Sequence, residues 1–230
     1  MPIRVASYNI RKSIGRDYRR DPARVLRVLD RIGADIIALQ EADRRFGRRA
    51  SSIPKDMLAA NGFCAVELTA RPDSIGWHGN AILLRRDMDI LDQRILDLPG
   101  LEPRGAVSVD LSMNGKALRV VGVHLGLLKR NRRQQLTKIK DFLDRLTLLP
   151  TVILGDFNEW GRVGQNLTAL QPKFDVLTPG RSFPSGRPLA GLDKIAISKE
   201  IKLLASGVQA CDTAQIASDH LPIWADIEAV

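Results

Sequence analysis

Cysteine is almost absent from this chain: Cys64 and Cys211 stand far apart among 230 residues, outside any CxxC spacing. That excludes a disulfide framework, and the pair reads as two reduced, buried thiols suited to a reducing cytoplasmic compartment. Histidine is nearly as scarce, at three residues, and a zinc centre would call for more histidine or cysteine than this. No apolar run is long enough to span a bilayer, and Met1-Pro2-Ile3-Arg4-Val5 enters a strand pattern at once, so neither a membrane anchor nor a signal peptide is expected. Low-complexity tracts, fixed-period repeats and flexible linkers are missing too. What remains is ordinary for a folded protein: 44% hydrophobic and 5% aromatic residues, in a length that suits one large α/β domain over residues 1–230.

Charge is less ordinary. Thirty-five Lys and Arg against 26 Asp and Glu leave a net charge of +9. Denser basic patches occur at Arg44-Arg45, Arg48-Arg49 and across Lys129-Arg130-Asn131-Arg132-Arg133. Any one patch reads as solvated surface. Their sum favours a partner rich in phosphate, with nucleic acid ahead of anionic lipid.

Strand-like and helix-like segments alternate. Ile3 to Asn9 reads as a strand, and Asp21-Pro22 as a helix cap followed by proline at the first helical position. Val25, Leu26, Leu29 and Ile32 then recur at helical spacing up to Gly33. Asp35 to Gln40 is a short buried strand, and Ile53 to Asn61 a helix closed by Gly62. The middle is antiparallel in character, with Asn114-Gly115 as a hairpin signal between Ala106–Met113 and Ala117–His124. Arg132 to Leu146 carries a helical apolar stripe, Thr151 to Leu154 is a strand, and three more strands close the chain. Mixed strand directions with intervening helices predict an α/β fold of two packed sheets covered by helices.

Strands repeatedly finish on residues unsuited to a core. Asn9 ends the first, Gln40-Glu41 the second, and His124 follows "VVGV". Asp156-Phe157-Asn158 follows "VILG", Asp193 precedes "KIAI", and Ser218-Asp219-His220 precedes "LPIWADI". Strand ends on a rigid scaffold are where sheet proteins gather binding side chains. If these positions converge, they form a pocket of carboxylates, two histidines and two carboxamides. Crowded carboxylates bind a cation or take up protons, and hard oxygen donors suit Mg²⁺ or Mn²⁺. Metal, base and donors together describe hydrolysis of a phosphate ester.

The stretches "ASYNIR", "LQE", "GNAILLRR", "RGAV", "GVHLG", "GDFNEW", "LDKIAIS" and "SDHLP" follow one another from Ala6 to Pro222. In that order they resemble the endonuclease/exonuclease/phosphatase superfamily, which implies a deoxyribonuclease I-like four-layer α/β sandwich, two mixed sheets face to face with helices outside. By this resemblance Glu41 looks like the principal metal ligand, with Asn9 and Asp219 nearby. His220 looks like the group that activates water or grips the scissile phosphate, and Asp193 would hydrogen-bond its other ring nitrogen. Asp156 would orient the nucleophile or protonate the leaving oxygen, with Asn158 and His124 as donors to phosphate oxygens. Asn80 takes the position of a polar partner on the His124 side. Arg104 either braces the site or touches substrate, and Lys129 and Arg130, in "GLLKRNRR", would steer a polyanion towards it. His78 matches nothing and reads as surface.

The continuation Ala42-Asp43 and the segment "SFPSGRPLAGLDKI" depart from the pattern of abasic-site endonucleases. The resemblance therefore leaves a metal-dependent phosphodiesterase, with a nuclease ahead of a phospholipid or small-molecule phosphoesterase. A binding module that has lost activity is the remaining alternative, weakened because all the catalytic positions are filled.

Overall fold

A computed structural model describes residues 2–229 apart from 45, 46, 48, 69–71, 86, 87, 114 and 161–166. Arg45, Arg48 and Asn114, named above in the basic patches and the hairpin signal, lie outside the described residues. The first sheet is built from β1 (Ile3–Asn9), β2 (Ile36–Gln40), β3 (Cys64–Ala65), β4 (Ala81–Leu84), β11 (Ile201–Val208) and β12 (Ile223–Ala229). The second is built from β5 (Asp89–Leu98), β6 (Arg104–Met113), β7 (Lys116–His124), β8 (Thr151–Asp156), β9 (Phe174–Leu177) and β10 (Asp193–Ser198). Among the described residues four α-helices accompany them: α1 (Pro22–Ile32), α2 (Lys55–Ala60), α3 (Lys129–Leu143) and α4 (Asp212–Ala217).

The strand orders are β11-β12-β1-β2-β4-β3 and β5-β6-β7-β8-β10-β9. Each sheet has one parallel pair at its centre, β1 with β2 and β7 with β8, among antiparallel neighbours. Between the sheets lie Val5, Ile36, Ala38 and Ile82 from one side and Val107, Val120, Val152, Leu154 and Ile195 from the other. A second cluster joins α1, α2 and α4 to the outer face of the first sheet through residues such as Leu29, Leu58, Ala214 and Leu39. A third seats Leu136 and Ile139 of α3 on Val121, Val123 and Ile153 of the second. The result is the four-layer sandwich expected, and each fully buried aliphatic side chain in it contributes about 1.5–3 kcal/mol.

Local sequence accounts for much of this. Asp21 caps α1 by accepting from the Arg24 amide at 2.9 Å, Pro22 opens the helix, and Gly33 closes it in the left-handed conformation. Two expectations are corrected. The third helix runs from Lys129 to Leu143 rather than from Arg132 to Leu146, so the basic patch from Lys129 to Arg133 forms its first turn. Cys64 is exposed and Cys211 half-buried, because β3 is a two-residue edge strand whose outer side meets solvent. The short elements β3, β9 and α4 carry too little pattern to be foreseen.

Candidate active site

Register brings the polar strand ends together. In the second sheet His124 lies opposite Asp156, and Asp156 lies opposite Asp193, so three functional groups stand side by side on β7, β8 and β10. The residue before Asp156 makes this possible. A Cβ on Gly155 would fall 1.9 Å from the Val123 carbonyl oxygen, so only glycine lets β7 and β8 pair to their ends. From the first sheet, Asn9 at the tip of β1 reaches across and donates to Asp156 Oδ2 at 3.1 Å. Its backbone carbonyl takes the Ser218 hydroxyl at 2.6 Å, which ties the loop carrying Asp219 and His220 to the same place.

Asp156 is the hub. Its Oδ1 accepts the Asn158 amide at 2.9 Å, while its Oδ2 lies 3.4 Å from His124 Nε2 and 3.7 Å from His220 Nε2. His220 Nδ1 is 2.9 Å from Asp193 Oδ2, the pairing expected from the sequence, and the Ser182 hydroxyl donates to the same oxygen. All of these groups are buried, and the energetics follow. Burial, reinforced by Asp193, pushes the Asp156 carboxyl up to about 6, although His220 opposes the rise. Burial alone would lower His220, but Asp193 and Asp156 outweigh it and raise the imidazole to about 10. His220 is therefore held as an imidazolium between two carboxylates, with Nδ1–H donated to Asp193.

Beside this row opens a cleft lined by Lys12, Glu41, Trp77, His78, Arg104 and His124. Arg104 can only donate, so its 2.8 Å contact to His124 Nε2 makes that nitrogen an acceptor and places the ring proton on Nδ1. Glu102 holds the Arg104 guanidinium from the other side at 2.6 Å. Asn158, like Glu41, has a positive φ, and its side chain donates to the Leu125 carbonyl at 2.9 Å. Asn80 is buried and donates to the Gly105 carbonyl at 3.0 Å rather than to His124; its Oδ1 has no protein partner. His78, read as surface, lines the cleft with its Nε2 at 3.2 Å from Asp97.

Lys129 and Arg130 do not line this cleft; they line a groove on α3 with Leu96 and Arg133. Arg132, grouped with them in sequence, is buried against Glu159 at 3.1 Å. Sequence reasoning also missed Lys12 and Ser182. Lys12 sits in a turn in which Arg11, Lys12 and Ser13 all have positive φ, and no local signal announces such a turn after "YNI". Ser182 is eleven residues from its partner Asp193, in a segment without periodicity.

The oxygen donors fit a hard cation. Glu41 lies against the Lys12 ammonium, and Asp219 lies 3.6 Å from the Arg11 guanidinium, so both carboxylates draw positive charge from the same turn. Separately, Asp156, Asp193 and His220 offer ligand atoms all within 4.8 Å of one another, and Asp193 Oδ1 is buried without a hydrogen-bond partner. In the buried row the His220 imidazolium already answers the two carboxylates, so the place left for a cation is beside Glu41.

Known proteins resemble this chain in sequence and in fold. The chain is 32% identical over 161 residues to the uncharacterized protein YbhP of Escherichia coli (strain K12), an alignment covering 66% of this chain. The match covers 63% of YbhP, slightly under two thirds of that relative's length. Among solved structures, the mannosyl-6-phosphatase Bt3783 of Bacteroides thetaiotaomicron VPI-5482 superposes with a TM-score of 0.76 at 20% identity, covering 98% of this chain and 99% of that one. TDP2 of D. rerio, complexed with single strand DNA product, superposes with a TM-score of 0.75 at 15% identity and 99% coverage of both chains. At such identities the likeness is one of fold. The sequence pattern of the Endonuclease/Exonuclease/phosphatase family matches residues 6–220, from the first motif to the last site histidine. By that match, over a fold the family shares, the chain belongs to the endonuclease/exonuclease/phosphatase family.

Proposed function

We propose that residues 1–230 form one catalytic domain, a divalent-metal-dependent phosphodiesterase of the cytoplasm. The single observation that carries this reading is the buried row Asp193–His220–Asp156, reached by Asn9 from one sheet and His124 from the other. Members of the family are typically hydrolases of phosphate esters, and the row supplies what that chemistry needs.

Asp193 fixes the tautomer and ring orientation of His220, whose Nε2–H then faces the space beside Asp156 and can donate to a phosphoryl oxygen. Asp156, with a carboxyl raised to about 6, is suited to take a proton from water near neutral pH or to return it to a leaving oxygen. His124 accepts from Arg104 through Nε2, so the positive donor on that side of the cleft is the Arg104 guanidinium, with Asn158 adding a neutral amide. Glu41, with Asn9 and Asp219, would hold Mg²⁺ or Mn²⁺, which when bound supplies Lewis-acid polarisation of a phosphoryl oxygen. The net charge of +9 favours a polyanion over a small ester, and it serves a nucleic-acid strand and an anionic phospholipid surface alike.

Turnover of bis(p-nitrophenyl) phosphate tests the reading. We expect chelation of divalent metal to abolish it, and His220→Ala to do the same with the fold intact by circular dichroism. Turnover that survives either treatment rules this mechanism out.

A further inference from the structure

Four neighbouring loops at the mouth of the site share one feature. Leu101 lies three residues before Arg104, Leu127 and Leu128 lie three and four after His124, Trp160 lies four after Asp156, and Leu189 lies four before Asp193. Those site residues sit at the same end of β6, β7, β8 and β10, which are consecutive in the second sheet. Each loop therefore carries a large apolar side chain just beyond a site residue. All five are open to solvent, at 86%, 61%, 51%, 65% and 61% exposure, and they are five of the twelve such side chains exposed among the described residues.

The loops are also joined to one another. Gln135 of α3 donates to the Pro99 carbonyl at 2.8 Å, which ties the Leu101 loop to the helix that follows Leu128. Arg132 of the same helix pairs with Glu159 at 3.1 Å, which places Trp160 beside the Leu127 loop. The Trp160 ring lies 5.9 Å from Phe183, the Leu189 amide donates to the Phe183 carbonyl at 2.8 Å, and Phe183 in turn packs on His220 at 4.9 Å. Lys129, Arg130 and Arg133 are exposed directly behind Leu128.

We infer that this rim is a docking face for an anionic phospholipid bilayer. Scattered single apolar residues need no explanation, but a row of them on linked loops along one side of a catalytic site does. Aliphatic side chains, one tryptophan and a following cluster of lysine and arginine are what an interfacial face requires: hydrocarbon to enter the headgroup region, an indole to rest in it, and cations to meet lipid phosphates. A single-stranded nucleic acid is served less well, because base stacking needs aromatic or guanidinium planes and four of the five rim residues are leucines. The inference rests on the phosphodiesterase reading and deepens it, since docking on this face would present lipid headgroup phosphodiesters to the site.

Vesicle co-sedimentation at low salt tests it, using phosphatidylcholine vesicles with and without phosphatidylglycerol, with a single-stranded DNA oligomer titrated in parallel. The protein is expected to sediment with the phosphatidylglycerol vesicles. The combined Leu101→Ser, Leu128→Ser and Leu189→Ser variant should lose about tenfold or more of that binding while hydrolysing soluble bis(p-nitrophenyl) phosphate like the parent. Three results overturn the proposal: no sedimentation of the parent with anionic vesicles, equal sedimentation of parent and variant, or a loss by the variant confined to DNA binding. A parent that binds vesicles but does not turn over the soluble diester would leave the docking face standing and remove the phosphodiesterase reading instead.

Discussion

Asp193 shows how much a single carboxylate can decide. One of its oxygens serves both His220 Nδ1 and the Ser182 hydroxyl, and the other is buried without a partner. An asparagine would keep nearly the same shape and remove the charge that stabilises the imidazolium. For Asp193→Asn we expect kcat on bis(p-nitrophenyl) phosphate to fall roughly 10²–10⁴-fold with little change in KM. The alkaline limb of the kcat–pH profile should also move to lower pH, because His220 loses a principal cause of its rise to about 10. A limb that stays in place would show that Asp193 merely packs. The pairing of Asp193 with His220 was legible through the family resemblance that "LDKIAIS" and "SDHLP" help to carry, not from the local pattern of either segment. The contact of Lys12 with Glu41 was not legible, because it depends on a left-handed turn joining two segments 29 residues apart.

At the level of elements, the site depends on strands that pair all the way to their tips. Gly155 shows the constraint, since its added Cβ would meet the neighbouring backbone on β7 rather than a side chain able to turn aside. Gly155→Ala should lower stability by about 2–4 kcal/mol, seen as a fall in the urea midpoint. It should also lower activity, since Asp156 is the next residue. A change below about 0.5 kcal/mol would mean that the strand ends part at little cost. Short apolar runs ending on polar residues made β1, β2, β7 and β8 legible, whereas the two-residue β3 and the six-residue α4 are held by tertiary packing against longer neighbours.

The whole molecule carries an excess of positive charge that acid conditions enlarge. With 35 Lys and Arg against 26 Asp and Glu, each carboxylate protonated adds to self-repulsion. Asp110 is a carboxylate whose protonation should be felt globally. Burial would raise it, but hydrogen bonds from Arg119 and Arg94 prevail and hold it below the usual carboxylate range. A depressed carboxyl contributes stability that is fully present above its unfolded value and is lost as pH falls through the folded one. Urea unfolding followed from pH 5 down to pH 2 should therefore show a shallower fall with pH in Asp110→Asn, starting from about 3 kcal/mol lower, since buried Arg119 is left unpaired. Parallel pH curves for variant and parent would assign acid sensitivity to other groups.

Taken by itself, the sequence determined the layered α/β class, the cap and stop of α1, the motif order that marks the family, and the polar residues placed at strand ends. These are local properties: periodicity, capping and composition act over a few residues, so they survive in the linear string. Register, the left-handed turn at Arg11–Ser13, and the separation of Lys129 and Arg130 from the cleft were decided only in three dimensions. So were the row through Asp156 and the exposed apolar side chains on the loops beside it. Each depends on which strand lies beside which, and that is settled by the burial of two sheets against one another rather than by any segment's own preference.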